Sequence, residues 1–231
     1  MNLTILTLFP EPVEAYFASS IMAKAVARGL VTYRCVNIRD FAVDVHRTCD
    51  DAPYGGGAGM VLKPGPLAAA LDSVGGDRIR TIYPTPSGRP FRAPLVHELA
   101  AEKELILVCG RYEGIDQRII DRYVDDEISI GDYVLSSGEL AALVIIDAVY
   151  RRINGVITAE SLDEESFEDG LLEYPHYTRP ETFASVGVPE VLLSGHHEQI
   201  RAWRMEQRIA KTRQMRPDLY QAWLAQRDDK E

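Results

Sequence analysis

Two short apolar segments in the middle of the chain each lead directly into a loop rich in glycine. Residues 105–109 (LILVC) are continuously apolar, which is typical of a strand buried on both faces of a parallel sheet, and GRYEG follows at 110–114. Residues 127–130 form a second short strand that leads into GDYVLSSG at 131–138. Because ligands of parallel α/β sheets bind where loops leave the carboxyl ends of strands, these two loops predict one shared pocket.

Strands and helices alternate through the first 155 residues. The hydrophobic patterns predict further strands at residues 3–8, 31–38 and 79–83, and helices at 13–28, 66–74, 93–103 and 139–152. The last of these helices is apolar nearly all round, which indicates that it is buried. Such alternation predicts an α/β domain built on a parallel sheet, covering residues 1–155.

The remainder of the chain has a different character. Residues 156–172 lack hydrophobic periodicity and are acidic, which predicts a flexible linker. Residues 173–231 are predicted to form a small, mostly helical C-terminal domain. Its first helix, at 197–213, has one apolar and one basic face and takes Ser194 as its predicted N-cap; a second helix follows at 217–226.

Composition excludes several classes of protein. With 46% hydrophobic and 26% charged residues, the 231-residue chain resembles an ordinary globular protein. No apolar run reaches the roughly 18 residues that a membrane helix requires, and the N-terminus lacks a signal-peptide pattern. The three cysteines, Cys35, Cys49 and Cys109, follow no metal-binding spacing, so we expect reduced thiols in a cytoplasmic protein without a membrane partner.

The net charge of −10 argues against a nucleic-acid partner when it is taken alone. The distribution of charge matters more than the sum. Arginine and lysine outnumber acids within residues 196–217, whereas acids concentrate within 160–169. A basic surface on the predicted C-terminal helix is therefore compatible with an acidic protein.

Five ordered segments resemble the bacterial tRNA (guanine-N1)-methyltransferase family. They are PYGGGAGM at 53–60, CGRYEGID at 109–116, SIGDYVLSSGEL at 129–140, SFEDGLLEYPHYTRP at 166–180 and SGHHEQIRAWR at 194–204. The resemblance covers nearly the whole chain. It implies a SPOUT-class α/β fold with a deep trefoil knot at the cofactor site, and a homodimer with shared active sites. It also implies S-adenosylmethionine as cofactor, an association with Mg²⁺, and the guanosine 3′ of the anticodon in tRNA as substrate.

The resemblance also assigns cofactor contacts to three loops, at residues 83–88, 110–114 and 129–138. The residues that it implies are Tyr83, Pro84, Thr85, Gly88, Gly110, Tyr112, Glu113, Gly114, Ser129, Ile130, Gly131, Tyr133, Leu135 and Gly138. Ser137 stands where the family more usually has glycine. If that position required a positive φ, serine would cost on the order of 1 kcal/mol.

Methylation of guanine N1 requires removal of the N1 proton while negative charge builds on O6, so a carboxylate and an arginine are the expected groups. The resemblance assigns the arginine to Arg151. It places the general base immediately before a Ser-Phe pair, where this chain has Glu165 in place of the family's aspartate. Asp169 and Asp163 of the same acidic segment are alternative bases, and Glu113 is expected to bind rather than to transfer protons.

RNA contacts are expected from two regions. The glycine-rich segment, with Gly56, Gly57 and Gly59, fits neither of the common phosphate-binding fingerprints, and the resemblance places it near cofactor and substrate. The basic face of the predicted C-terminal helix is expected to contact the anticodon arm; its residues are His197, Arg201, Arg204 and Arg208. The spacing of the histidines does not favour a metal site.

Two other functions stay open from the sequence. One is a related knotted methyltransferase that acts on ribose or on ribosomal RNA, although SFEDGLLEYPHYTRP argues against it. The other is a catalytically silent RNA-binding module with a relic cofactor fold, to which the departure at Glu165 lends weight. Loss of S-adenosylmethionine binding would favour the silent module.

Overall fold

A computed structural model describes residues 1–158 and 165–228 of the chain. By their internal contacts the residues divide into two compact units, 1–157 and 158–231. Asp163 and the rest of the acidic stretch 159–164 lie outside the described residues, and the linker predicted at 156–172 stays a prediction. No helix in the described part of the chain is long and apolar enough to cross a membrane.

The first unit is a five-stranded parallel sheet with helices, as the sequence predicts. Its elements are β1 (Asn2–Thr7), α1 (Pro10–Phe17), α2 (Ser20–Ala27), β2 (Thr32–Asn37), β3 (Asp50–Asp51), β4 (Val61–Leu62), α3 (Pro64–Val74), β5 (Thr81–Pro90), α4 (Ala93–Ala100), β6 (Glu104–Val108), α5 (Gln117–Tyr123), β7 (Asp126–Ser129) and α6 (Gly138–Tyr150). The strand order is β2-β1-β6-β5-β7, and β3 pairs with β4 as a separate antiparallel hairpin. The trefoil knot stays a prediction.

Both faces of the sheet are buried. In β6, Leu105 and Leu107 belong to one hydrophobic cluster, which also contains residues of α1, α2, α4 and α6. Ile106 and Val108 belong to a second cluster, with residues of α3 and α5. Successive side chains of a strand point to opposite faces, so an uninterrupted apolar run such as that of β6 fits a strand covered on both sides.

One predicted helix is wrong in detail. The helix expected over residues 13–28 is two helices, because α1 ends at Phe17 and α2 begins at Ser20, whose φ is +50°. The apolar spacing continues across this break, so periodicity alone does not reveal it. The break changes which side chains are buried: Val13 and Phe17 are buried, whereas Ile21, at the same spacing, is exposed.

The loop expected at residues 83–88 lies within β5, where it forms an irregularity of the strand. Pro84 and Arg89 both pair with Ile128 of β7, so the residues between them bulge out of the sheet. The carboxylate of Asp126, which is 7% exposed, forms ion pairs with Arg80 before the bulge and with Arg89 after it. These two ion pairs bracket the bulge.

Helix α6 is not buried all round in a single chain. Leu140 and Val144, four residues apart on one side of the helix, are 52% and 48% exposed. The opposite side is buried and includes Ala142, Ile146 and Val149. An apolar helix with one uncovered face is typical of a subunit interface.

Within residues 165–228, the second unit contains a short hairpin and three helices. They are β8 (Thr182–Phe183), β9 (Val186–Gly187), α7 (Glu190–Leu193), α8 (His197–Met215) and α9 (Pro217–Asp228). The prediction that Ser194 caps α8 is wrong, because His196 occupies the N-cap position. The Ser194 hydroxyl instead donates to the Val191 carbonyl at 2.7 Å and accepts from the His196 amide at 3.2 Å, so it closes α7.

Candidate cofactor pocket and basic helix

A pocket of about 190 Å³ lies between the bulge of β5 and the loops that follow β6 and β7. All the predicted cofactor residues except Gly88 line it: Tyr83, Pro84, Thr85, Gly110, Tyr112, Glu113, Gly114, Ser129, Ile130, Gly131, Tyr133, Leu135 and Gly138. Further lining residues were not among the predicted contacts, namely Pro86, Arg111, Val134 and Ser136 in the same loops, Ile128 in β7 and Ala141 in α6; Ser137 lines the pocket as well. The three loops therefore converge on one cavity.

Gly88 has a structural place instead. A β-carbon added there would lie 2.5 Å from the carbonyl carbon of Glu127 and the amide nitrogen of Ile128. The close approach of these main chains lets the β5 bulge fold against β7, and a side chain would prevent it. Gly88 therefore shapes one of the pocket loops from behind rather than lining the cavity.

Gly138 and Gly110 join two of the pocket loops through their main chains. The Gly138 amide donates to the Gly110 carbonyl at 2.8 Å, and Arg111 bridges Ser137 in antiparallel fashion. A β-carbon at Gly138 would lie 2.7 Å from the Gly110 nitrogen. Ser137 itself is extended, with φ of −158°, so the strain considered for serine at this position does not arise.

Tyr83 forms a buried wall of the pocket. A β-carbon at Gly110 would lie 2.7 Å from the Tyr83 ring, so the glycine permits this packing. Burial raises the pKa of Tyr83, and this effect outweighs the opposing influence of hydrogen bonds with Thr85 and with the Ile115 backbone. The phenol is therefore neutral at physiological pH and offers a polar group without a charge.

The charged side chains among the described residues that line the pocket are Arg111 and Glu113. The Arg111 guanidinium lies over the Phe9 ring, 4.2 Å from its centroid, and its Nη1 is 4.0 Å from Oε2 of the buried Glu139. The other Glu139 oxygen accepts a 2.5 Å hydrogen bond from the Thr7 hydroxyl. One loop thus presents a cation and an anion two residues apart.

Arg151 does not line this pocket. It follows the last residue of α6, whereas the helix begins at Gly138 on the pocket wall. Thirteen helical residues at a rise of 1.5 Å put the two ends roughly 20 Å apart. Within one chain, the first unit therefore does not bring Arg151 to the cofactor loops.

The glycine-rich segment forms the tip of the β3–β4 hairpin. β-Carbons added at Gly56 and Gly57 would meet no atom within 4 Å. At Gly59, by contrast, an added β-carbon would collide with the side chain of Glu113, and the Glu113 amide donates to the Met60 carbonyl at 3.0 Å. The hairpin is thus attached to the pocket loop at its base and is open at its tip.

In the second unit, Arg208 is buried at 8% exposure rather than facing solvent. Its guanidinium donates to both carboxylate oxygens of Asp169, and its Nε donates to the Leu172 carbonyl at 3.3 Å. Thr212, one turn further along α8, accepts from the Leu172 amide at 2.8 Å. The prediction that Arg208 contacts the anticodon arm is therefore not supported, because its donors hold the segment at 169–172.

The same contacts argue against Asp169 as the general base. Burial disfavours its ionised form, but the hydrogen bonds and charge of Arg208 outweigh burial and hold the pKa of Asp169 below its ordinary value. A carboxylate with a lowered pKa that is already paired with a guanidinium is a poor proton acceptor. Asp169 therefore fits the role of an anchor for this segment.

The other predicted RNA contacts divide into two groups. His197 and Arg201 are exposed on α8. Arg204 places its guanidinium over the Tyr174 ring, 4.4 Å from the centroid, so it packs on the same segment as Arg208. The exposed basic groups are therefore fewer than the helical pattern predicts.

Glu165 directly precedes this anchored segment. The Ser166 hydroxyl accepts from the Glu173 amide at 3.0 Å, and the Phe167 amide donates to the Leu171 carbonyl at 2.9 Å. These bonds close a compact turn whose first residue follows Glu165. Within residues 1–158 and 165–228, no group of three or more histidine, cysteine or acidic side chains is arranged to hold a metal ion.

Replacing Arg208 with alanine is expected to lower the free energy of unfolding by about 2 kcal/mol, because hydrogen-bonding groups of the segment at 169–172 lose their donor. The matched variant Arg201→Ala removes an exposed arginine from the same helix and should change stability by no more than about 0.5 kcal/mol. Urea unfolding at pH 7 measures both. Equal losses in the two variants would contradict the anchoring role.

The pH dependence of this difference follows from the lowered pKa of Asp169. A carboxylate whose pKa falls on folding stabilises the protein above its unfolded pKa of about 3.9, and that contribution disappears as pH falls through the folded pKa. The difference in the free energy of unfolding between the parent protein and Arg208→Ala should therefore decrease below about pH 4. Unfolding curves between pH 3 and pH 7 test this expectation.

Comparison with known proteins identifies the family of this chain. Residues 1–222 match the profile of the family described as tRNA (Guanine-1)-methyltransferase TrmD. The chain is 65% identical to the tRNA (guanine-N(1)-)-methyltransferase of Treponema denticola over 219 residues, which cover 95% of this chain and 90% of the relative. Proteins of the same name from Treponema pallidum and Borrelia duttonii are 59% and 55% identical, over 96% and 100% of this chain and 89% and 97% of their own lengths. The chain therefore belongs to the tRNA (guanine-1)-methyltransferase family.

Proposed function

We propose that the protein transfers a methyl group from S-adenosylmethionine to N1 of the guanosine immediately 3′ of the anticodon in tRNA. The observation that carries this proposal is the convergence of the three loops on one pocket in a chain that matches the family over residues 1–222. A tRNA substrate places the enzyme in the cytoplasm.

The residues of the pocket fit S-adenosylmethionine. Main-chain groups of the β5 bulge and of the loop after β7 can form hydrogen bonds with the edge of a neutral, flat adenine, and the buried Tyr83 covers part of the cavity. Arg111 and Glu113 match in sign the carboxylate and the ammonium group of the amino-acid end of the cofactor. When bound, the cofactor supplies an electrophilic methyl group on a sulfonium.

Proton removal and charge stabilisation fall to Glu165 and Arg151. We assign the general base to Glu165, because Asp169 is paired with Arg208. A guanidinium is always charged, so Arg151 stabilises negative charge on guanine O6 and thereby lowers the pKa of N1. Mg²⁺ has no part in this proposal, because no three histidine, cysteine or acidic side chains of the described residues are grouped so that they fit the ion.

A homodimer accounts for the separation of these parts. Arg151 is roughly 20 Å along α6 from the pocket of its own chain, and Leu140 and Val144 leave an apolar face of that helix uncovered. We propose that this face packs against a second copy of the chain. The pocket of one subunit then receives the segment that carries Glu165 from its partner, with tRNA bound between them.

The reaction and its site can be tested with two tRNA transcripts that differ only at the guanosine 3′ of the anticodon, which one transcript retains and the other replaces with adenosine. We expect labelled methyl from S-adenosylmethionine to appear only in the transcript with guanosine, because adenosine has an amino group in place of the O6 atom that Arg151 is proposed to stabilise. Mapping of the product to N1 by nuclease digestion completes the test. Equal labelling of both transcripts would contradict the assigned site.

The base can be tested by replacing Glu165 with glutamine, which keeps the size of the side chain and removes its proton affinity. Single-turnover methyl transfer at saturating cofactor and tRNA should fall by about 10²-fold or more. Glu168→Gln removes an exposed carboxylate from the same segment and is the matched control, with little change expected. An unimpaired Glu165→Gln enzyme would remove Glu165 from this role.

A further inference from the structure

We propose that Gly59 is a positioning residue for Glu113, and that its lack of a side chain allows the Glu113 carboxylate to take its place on the pocket wall. The inference rests on the proposed function in one respect, namely that the pocket binds S-adenosylmethionine. It gives the glycine-rich segment a role in cofactor binding in addition to any contact with RNA.

Gly59 lies directly against the side chain of Glu113. A β-carbon added there would lie 2.8 Å from the carboxyl carbon of Glu113, and closer still to its Cγ and Oε1. Side chains in proteins do not approach a β-carbon this closely. The Glu113 side chain therefore occupies volume that only a glycine at position 59 leaves free.

The main chains on either side of this contact are joined, so neither can withdraw easily. The Glu113 amide donates to the Met60 carbonyl at 3.0 Å, and the Leu62 amide donates to the Gly114 carbonyl at 3.0 Å. The Asp116 amide donates to the Leu62 carbonyl at 3.2 Å. Because these bonds fix the two backbones, a methyl group at residue 59 is accommodated by moving the flexible Glu113 side chain.

A displaced Glu113 changes the charge pattern of the pocket. Glu113 and Arg111 are the charged side chains that line the cavity among the described residues. A displaced Glu113 carboxylate no longer faces a ligand in the pocket, whereas Arg111 stays over the Phe9 ring. Binding sites depend on charges held in place before the ligand arrives, so affinity for a cationic group falls.

The hairpin supplies its own control. Gly55 and Gly59 have nearly the same backbone conformation, with φ of +87° and +88°, so alanine strains the backbone at both positions. A β-carbon at Gly55 meets no atom within 4 Å, whereas a β-carbon at Gly59 meets Glu113. Both substitutions strain the backbone, but only alanine at position 59 also collides with the Glu113 side chain.

The test is calorimetric titration of the full-length protein with S-adenosylmethionine, without tRNA. We expect Gly59→Ala to raise the Kd about tenfold and the control Gly55→Ala to raise it less than twofold. Thermal unfolding should show similar decreases in Tm for the two variants, since both carry the same backbone strain. Equal effects of the two substitutions on Kd would overturn the proposal.

A double-substitution cycle distinguishes positioning from general damage to the loop. In a Glu113→Ala background the collision at position 59 is absent, so adding Gly59→Ala should cause no further loss of affinity. A loss that persists in that background would show that Gly59 acts without Glu113 and would overturn the proposal. A parent protein that binds no S-adenosylmethionine would contradict the proposed function itself, and this inference with it.

Discussion

Gly138 and Gly110 approach each other closely enough to share a main-chain hydrogen bond, and this contact joins the loop after β7 to the loop after β6. This hydrogen bond holds two sides of the pocket together. Gly88 does the same for the third wall by folding the β5 bulge against β7. The pocket is therefore a product of close main-chain packing at strand ends, and its side chains add shape and charge to a frame that glycines make possible.

Charge in this protein is used locally rather than as a global field. The net charge of −10 coexists with several buried or partly buried arginines that are paired with an acid or an aromatic ring. Arg208 binds Asp169, Arg111 lies between Phe9 and Glu139, and Arg80 binds Asp126. Because these guanidiniums have structural partners, a count of basic residues overstates the surface that is available to phosphates.

The sequence predicted the sheet and the pocket better than it predicted the helix surfaces. Continuous apolar runs such as that of β6 indicate buried strands because burial on both faces leaves no room for alternation. The individual pocket residues followed from the resemblance to the family, two of whose motifs lie at the ends of β6 and β7. Arg208 was expected to face RNA because a helical pattern shows on which side of the helix a charged residue lies. It does not show which residue the charge pairs with, and Asp169 is 39 residues away in sequence. Neither the break after α1 nor the extended φ of Ser137 leaves a trace in residue spacing.

In the proposed homodimer, each active site uses two chains, with the pocket from one and Glu165 from the other. It is tested most directly by purifying a heterodimer of one Gly138→Ala chain, whose pocket is blocked, and one Glu165→Gln chain, each with a different tag. Both homodimers should be inactive, whereas the heterodimer should retain one intact site and about half the methyl transfer of the parent dimer, since one of its two shared sites combines a parent pocket with a parent Glu165. A heterodimer as inactive as the two homodimers would contradict the shared site.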